Sequence, residues 1–190
     1  QRGEPAILDK YSRARMALQN GADLVLELPA AYACASAEAF AAGAVATLHR
    51  MGVADTLSFG CEYPRPELFS RLARLYLCEP ESLSLRLREL LRRGQTYPQA
   101  RAQATLEWLN IQTPASVTGA KAPTDLSDLL ASPNSILAIE YHKALLALDS
   151  AIRPLAIRRR GSYHAGSVPD PGEADTFASA SAIRRLLLEY

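Results

Sequence analysis

The chain has 190 residues, of which 48% are hydrophobic and 22% are charged, and its formal net charge is +1. These values are typical of a globular protein, and the charge balance excludes a uniformly basic nucleic-acid binder. Contact with nucleic acid would therefore need a local basic patch. The sequence contains no run that could span a membrane and no secretory signal, so we expect a cytoplasmic protein without a membrane partner.

Cysteine and histidine are sparse in this sequence. Cys34, Cys61 and Cys78 are odd in number and lack a Cys-x-x-Cys spacing, which predicts reduced thiols. The three histidines are scattered along the chain and form no zinc-binding pattern. The sequence therefore predicts no metal site.

The first sixty residues alternate between helix and strand patterns. We predict a helix over 10–20 that ends at Gly21, followed by a strand over 23–28. A helix over 36–51 and a strand over 55–59 come next. Strand, helix and strand joined by short links form a βαβ unit, which requires a parallel sheet.

The next part of the chain has helical patterns only. We predict helices over 66–78, 80–93 and 98–109. Pro, Gly, Ser and Thr accumulate over 110–132, which predicts a loop. These segments together predict a helical insertion at about 65–130.

The last third of the chain returns to an α/β pattern. We predict a helix over 133–148, a strand over 152–158, a loop over 160–177 and a final helix from about 181. The predicted fold class is therefore α/β, a parallel sheet with a helical insertion. Ligands of such sheets bind at the carboxyl ends of strands, beside helix N-termini, so candidate site residues are expected there.

Two single residues lie at such positions. Gly60 follows a predicted strand directly, where the lack of a side chain lets a ligand approach the backbone; a simple turn is the alternative. Asn134 follows Ser132 and Pro133 at the start of a helix. If Ser132 caps that helix, the Asn134 amide is free to meet a ribose or a phosphate, and a solvated side chain or secondary cap is the alternative.

Three consecutive arginines leave the last predicted strand. Arg158, Arg159 and Arg160 would repel one another unless solvent or an anion neutralises them. A polyphosphate would do so, because guanidinium groups bind phosphate through two parallel hydrogen bonds. A solvated basic run is the alternative.

The final helix poses a question of charge. Ser179 or Ser181 can cap it, and a cap at Ser181 brings Arg184 and Arg185 close to the positive end of the helix dipole. A bound anion would explain this placement, because hydroxyls, backbone N–H groups and Arg184 together make a phosphate cradle. Arginines that face solvent are the alternative.

Six phrases of the sequence carry a family resemblance. They are QRGEPAILDKYSRARMALQNGADLVLELP, SAEAFAAGAV, SFGCE, SPNSILAIEYHKAL, RRRGSYH and ASASAIR, in this order. The chain closely resembles the tRNA(Met) cytidine acetate ligase family, and ASASAIR is similar to the phosphate motif of the wider nucleotidyltransferase group. The resemblance implies a Rossmann-like nucleotidyltransferase fold of the HUP type, with 1–190 as part of one catalytic domain.

The resemblance also implies an ATP-dependent reaction in two steps. Acetate attacks the α-phosphate of ATP, in the presence of Mg²⁺, to give acetyl-adenylate and pyrophosphate. The acetyl group then passes to N4 of the wobble cytidine of elongator tRNA(Met). The implied partners are ATP, acetate and tRNA(Met), while the oligomeric state and the catalytic residues stay open.

Site residues can be carried over by this resemblance. Gly60, Asn134 and one arginine of the 158–160 run would contact ATP, and the spacing to Tyr163-His164 favours Arg158. Ser179, Ser181 and Arg184 would fall in the phosphate motif. The family's His-x-Gly-His motif lies upstream of QRGEPA and the family continues beyond ASASAIR, so we expect the middle of a longer enzyme, a piece that could be inert alone.

The segment 71–101 is rich in arginine and is a candidate RNA contact. Its arginines are Arg71, Arg74, Arg86, Arg88, Arg92, Arg93 and Arg101. Phosphate contacts by such a patch would give affinity without reading the RNA sequence, and a solvated helix face paired with glutamates is the alternative. Two other functions also stay open: adenylyl transfer to a small cofactor precursor, and a non-catalytic RNA-binding module.

Overall fold

The computed structural model describes residues 6–112, 124–159 and 180–188. The chain divides into two compact units. The first combines Gln1–Cys34 with Arg159–Tyr190, and the second spans Ala35–Arg158. No helix in the described ranges is long and apolar enough to cross a membrane.

The described part of the chain is mostly helical. In chain order its elements are α1 Lys10–Gln19, α2 Ala30–Ala33, α3 Ala37–Met51, β1 Thr56–Cys61, α4 Pro66–Leu77, α5 Glu81–Arg92, α6 Tyr97–Gln112, α7 Thr124–Ala131, α8 Pro133–Ala147, β2 Arg153–Arg158 and α9 Ala180–Leu188. The helix boundaries have local causes: Ser36 accepts a hydrogen bond from the Ala39 backbone at the start of α3, and Gly52 ends that helix with φ 69°.

The second unit contains the parallel sheet. Strands β1 and β2 pair from Thr56 opposite Arg153 to Cys61 opposite Arg158. Because the strands are parallel, their carboxyl ends lie at the same edge. The predicted parallel sheet is thus confirmed, and helices α4 to α8 lie between its two strands in the sequence.

Helix α8 is the centre of the second unit, since it packs on α3, α4 and both strands. Alternate residues of β1 face the helices, and Leu57, Phe59 and Cys61 pack in their apolar clusters. The residues between them, Ser58 and Gly60, are exposed. One face of the sheet therefore lies against the core. A separate apolar cluster joins α5 to α6, formed by Leu83, Leu87, Leu90, Ala100 and Ala104.

The first unit has a different character. Asp9 caps α1 by accepting hydrogen bonds from the backbone of Tyr11 and Ser12, and the bonds from Ser12 lower the pKa of the Asp9 carboxyl. Lys10 and Glu27 form an exposed ion pair, with 2.9 Å between Nζ and Oε2. Helix α1 contains no buried residue. Its stability therefore depends on local capping more than on packing.

Three sequence predictions about secondary structure are wrong. The strand predicted over 23–28 does not form, and residues 24–29 belong to neither helix nor strand. A strand needs backbone partners, and no described strand pairs with this segment. Gly60 lies inside β1, opposite Ile157, and does not follow the strand. The predicted loop 110–132 contains the end of α6 and all of α7.

Helix α7 forms because of an apolar stripe that the prediction overlooked. Leu126, Leu129 and Leu130 have the i, i+3, i+4 spacing of one helix face. Leu129 and Leu130 are buried in the same cluster as Cys61. Residues 113–123, which hold most of the Pro, Gly, Ser and Thr of the segment 110–132, lie outside the described ranges, as does the predicted loop 160–177.

Candidate functional site

The carboxyl edge of the sheet holds two of the predicted site residues. Gly60 is the last residue but one of β1, and Arg158 is the last residue of β2, opposite Cys61. Both residues are exposed. Alternation along β2 places Arg158 on the same face as Ala156, which packs against the core. The Arg158 guanidinium and the exposed backbone of Gly60 therefore lie at the same edge of the sheet.

The first turn of α8 is attached to the same edge by Glu62. Ser132 Oγ donates a hydrogen bond to Glu62 Oε2 at 2.5 Å. Asn134 Nδ2 donates to Glu62 Oε1, also at 2.5 Å. Because Glu62 directly follows β1, these bonds bring Asn134, the third predicted site residue, to the end of the strand that contains Gly60.

Two expectations about this turn are wrong. Ser132 lies at the N-cap position of α8, but its side chain makes no capping bond, and its hydroxyl donates to Glu62. The Asn134 amide is not free, since Glu62 holds its Nδ2. The Glu62 carboxylate also lies at the helix end where the dipole favours negative charge. The Glu62 carboxylate is thus the acceptor for both polar side chains of this turn.

Glu62 was not predicted as a site residue from the sequence. A signal was available, because Glu62 is the residue that leaves β1 in the phrase SFGCE, and ligands gather at strand exits. Its neighbour Cys61 is fully buried. Burial, with the Glu62 charge as a second cause, raises the pKa of the Cys61 thiol. The thiol therefore stays protonated and is not a reactive nucleophile.

The phosphate motif predicted near the C-terminal end lies only partly within the described chain. Helix α9 begins at Ala180, so Ser181 lies within the helix and not at its N-cap position. Arg184 follows the first turn, and Arg185 lies in the last turn, where the dipole favours a cation. The conflict of charge that the sequence raised is therefore smaller than expected. Ser179 lies outside the described residues, and phosphate binding by Ser179, Ser181 and Arg184 stays a prediction.

Three of the seven arginines in the segment 71–101 are neutralised by glutamates. Arg86 pairs with Glu107, with 2.5 Å between Nε and Oε2, and also with Glu89. Glu89 pairs with Arg93 as well. The hydrogen bonds from Arg86 lower the pKa values of the Glu89 and Glu107 carboxyls. The same bonds raise the pKa of the Arg86 guanidinium. For this set, the interpretation as a paired helix surface holds.

Arg101 is the third paired arginine and is largely buried. Its Nη1 lies 2.5 Å from Glu79 Oε2, and its guanidinium lies 4.0 Å from the centre of the Tyr76 ring. The side chain is 14% exposed, so it is part of the packing between α4 and α6. Four arginines stay exposed, and within the described ranges none of them has an ion pair: Arg71, Arg74, Arg88 and Arg92.

A cavity of about 170 Å³ lies at the other end of the sheet, where β2 begins. Ile152, Pro154 and Asp149 line it together with His142. His142 Nδ1 donates to the Ala138 carbonyl oxygen at 2.8 Å, and burial lowers the pKa of this imidazole. The ring is therefore neutral at pH 7. Among the described residues, no group of three or more His, Cys, Asp or Glu side chains could hold a metal ion.

The sheet, the surrounding helices and the polar carboxyl edge define a class of nucleotide-binding α/β protein. A family model described as HIGH Nucleotidyl Transferase matches residues 1–190, so the chain belongs to the HIGH nucleotidyl transferase family. The predicted fold class is confirmed by this match and by the solved structures that resemble the chain.

The chain is similar over its whole length to curated proteins named tRNA(Met) cytidine acetate ligase. The protein from Halothermothrix orenii is 41% identical over 193 residues, and the match covers 100% of this chain and 43% of that protein. The protein from Clostridium kluyveri is 42% identical, with 100% and 44% covered. The family resemblance drawn from the sequence is thus confirmed, and the chain spans less than half the length of these relatives.

Two crystal structures of Thermotoga maritima TmcAL are similar to this chain at 35% sequence identity. The form bound with alpha-thio ATP has a TM-score of 0.82, and the match covers 100% of this chain and 41% of that chain. The apo form has a TM-score of 0.84, with 100% and 42% covered.

Proposed function

We propose that residues 1–190 belong to the catalytic domain of an ATP-dependent acetate ligase that acetylates N4 of the wobble cytidine of elongator tRNA(Met). The similarity to proteins of that name supports the proposal. One observation in the structure carries it: Gly60, Arg158 and the Glu62–Asn134 pair lie at one carboxyl edge of a parallel sheet. Nucleotides bind at such edges in α/β proteins.

The proposed first step is adenylation of acetate. A carboxylate oxygen of acetate attacks the α-phosphorus of ATP, the bond to the β-phosphate oxygen breaks, and pyrophosphate leaves. The protein must place acetate in line with the leaving pyrophosphate and stabilise the negative charge that develops. In the second step the cytidine N4 attacks the acetyl carbonyl carbon, the bond from that carbon to the AMP phosphate oxygen breaks, AMP leaves, and N4 gives up one proton to solvent.

The residues at the edge divide into two proposed roles. Arg158 offers a guanidinium at the end of β2 and would bind the polyphosphate. Gly60 leaves the backbone of β1 open for close approach, and Asn134 would contact the nucleoside. Ser179, Ser181 and Arg184 stay predicted phosphate ligands by family resemblance. We propose in addition that the helical insertion, about 65–130, is part of this one catalytic domain and that the enzyme acts in the cytoplasm.

Mg²⁺ is proposed to bind with the nucleotide. The described residues contain no cluster of acidic side chains or histidines that could form a cage for the ion. This fits Mg²⁺, which commonly binds through substrate phosphates and water with few protein ligands. When bound, the ion would neutralise phosphate charge, while Arg158 would orient the β- and γ-phosphates.

The test of the proposed site compares two arginines of the same strand. Arg158 lies at the carboxyl end of β2 and Arg153 at its amino end, and both are exposed. In the protein that contains residues 1–190 with any flanking sequence, Arg158→Ala should lower acetate-dependent ATP–pyrophosphate exchange about tenfold or more, because a charge-assisted contact is lost. Arg153→Ala should leave the exchange unchanged.

Unchanged exchange in Arg158→Ala would remove that arginine from the site, and Arg159→Ala and Arg160→Ala would then be measured. Exchange that depends on an acceptor other than acetate would instead favour adenylyl transfer to a small cofactor precursor. The same assay applied to Arg184→Ala tests the predicted phosphate motif.

The exposed arginines of α4 and α5 are the proposed contacts for the tRNA backbone. On α5, Arg88 and Arg92 are four residues apart and share one exposed face. Replacing both with Gln should weaken tRNA binding and reduce the slope of log K against log salt by about 1 to 2. Replacing the paired Arg93 with Gln is the control and should change the slope little. Equal slopes for the parent and the double variant would exclude this face.

A further inference from the structure

The contacts of Glu62 fix which way the Asn134 amide points. An ionised carboxylate has acceptor oxygens only, so the group that faces it must be a donor. Asn134 Nδ2 lies 2.5 Å from Glu62 Oε1, which places the NH₂ group towards Glu62 and the amide oxygen away from it. The reverse orientation would put two acceptor oxygens in contact. Within the described residues, no recorded donor reaches Asn134 Oδ1.

The held amide presents mainly an acceptor to a ligand. A phosphate oxygen is itself an acceptor of hydrogen bonds and carries negative charge, so it gains no hydrogen bond from Asn134 Oδ1 or from the Glu62 carboxylate. That carboxylate also lies at the positive end of α8, where a phosphate would otherwise bind. Asn134 Oδ1 is therefore unsuited to a phosphate. It is suited to a neutral group that donates a hydrogen bond.

We propose that Glu62 is a positioning residue that sets nucleotide orientation: it holds Asn134 so that Oδ1 accepts a hydrogen bond from the nucleoside part of the ligand. This inference rests on the proposed function. The donor is a ribose hydroxyl or the exocyclic amine of adenine, which share the same chemistry. The phosphates are directed by charge towards Arg158, at the end of the neighbouring strand.

Ser132 makes the arrangement rigid. It binds the second oxygen of the Glu62 carboxylate, so the carboxylate is held from both sides and cannot rotate freely. Ser132 makes no side-chain capping bond to α8. With both of its oxygens held, the Glu62 carboxylate keeps Asn134 Nδ2 turned towards it.

The experiment measures affinity ratios in the protein that contains residues 1–190 with any flanking sequence. ATP is compared with 2′-deoxy-ATP, 3′-deoxy-ATP and purine riboside triphosphate, which lacks the amine. The parent protein should bind one of the three analogues about five- to tenfold more weakly than ATP, as expected for one lost hydrogen bond. That analogue identifies the donor.

Glu62→Met keeps the length of the side chain and removes its acceptor oxygens. The affinity ratio is the affinity for ATP divided by the affinity for that analogue. Glu62→Met and Asn134→Ala should each lower this ratio at least threefold. The double variant should lose no more of the ratio than either single variant does. Glu62→Gln retains an oxygen that can accept from Asn134 and should keep most of the ratio. Glu67→Gln, on the exposed first turn of α4, is the matched control and should keep all of it.

The ratio separates recognition from folding, because partial unfolding weakens all four nucleotides equally. A parent protein that binds ATP and all three analogues with equal affinity would overturn the inference while leaving the proposed function intact. So would a Glu62→Met variant that keeps the full ratio. A parent protein with no affinity for ATP would overturn the proposed function, and this inference with it.

Discussion

The carboxyl edge of the sheet and the core around His142 differ in the hydrogen bonding of their polar groups. At the edge, Glu62 accepts hydrogen bonds from both Ser132 and Asn134. In the core, His142 is 3% exposed, and its Nε2 has no hydrogen-bond partner in the described part of the chain. Both regions are built on α8. Its first turn holds an ordered charge, whereas its middle packs a neutral ring among apolar side chains.

This contrast predicts that substitutions at the edge affect ligand selectivity, whereas substitutions in the core affect folding stability. The polar contacts at the edge are half-buried and few, so their loss should change ligand selectivity more than folding. His142 and its neighbour Phe69 are buried, so the loss of either side chain should change folding more than selectivity. Substitutions in the core test this division.

The largest effect is expected for Phe69→Ala. Phe69 is fully buried in the cluster with Cys61 and Leu72, and its ring centre lies 5.6 Å from that of His142. Removing the ring leaves a cavity in a packed core, which should lower the free energy of unfolding by about 3–5 kcal/mol. Urea denaturation followed by circular dichroism measures this loss.

The control for this substitution is Phe69→Leu, which keeps most of the buried volume and should cost clearly less. In the folded protein, Phe69→Ala should leave the ATP affinity ratios of the parent in place, because it removes no contact of Glu62. A loss of stability below about 1 kcal/mol would mean that the site collapses around the missing ring. A changed ratio would mean that edge and core are coupled.

The comparison also explains what could be predicted from the sequence. Helices α1, α3 and α8 and strand β2 follow from local signals: caps, glycine ends and apolar periodicity. The strand expected at 23–28 failed because an alternating pattern does not provide a pairing partner. Helix α7 was missed because its short stripe of leucines follows a segment rich in Pro, Gly, Ser and Thr.

The candidate site was predicted in part for the same physical reason. Gly60, Asn134 and Arg158 could be proposed because each lies at a strand or helix end, and such ends meet at one edge of a parallel sheet. The bonds from Ser132 and Asn134 to Glu62 join residues that are 70 and 72 positions apart. No local pattern predicts such a contact, so the direction of the Asn134 amide required the structure.

The smaller expected effect is a dependence of stability on pH that originates at His142. Burial lowers the pKa of this imidazole in the folded protein below its ordinary value of about 6.5. Above pH 6.5 or so, the ring is neutral in both the folded and the unfolded chain, and it adds no pH dependence. As the pH falls below that value, the unfolded chain takes up a proton that the folded chain does not bind. Stability should therefore fall, by at most about 1.4 kcal/mol per pH unit for one proton.

His142→Leu removes this titration and fills the position with an apolar side chain of similar size. Urea denaturation at several pH values between 5.5 and 7.5 should show a weaker loss of stability on acidification for the variant than for the parent. Asp149, which lines the same cavity, is present in both chains, so the difference isolates the imidazole. Equal slopes in the parent and His142→Leu would mean that water or a rearrangement of the cavity admits the proton. The inference that the His142 imidazole stays neutral in the folded core, unlike the charged groups at the edge, would then be wrong.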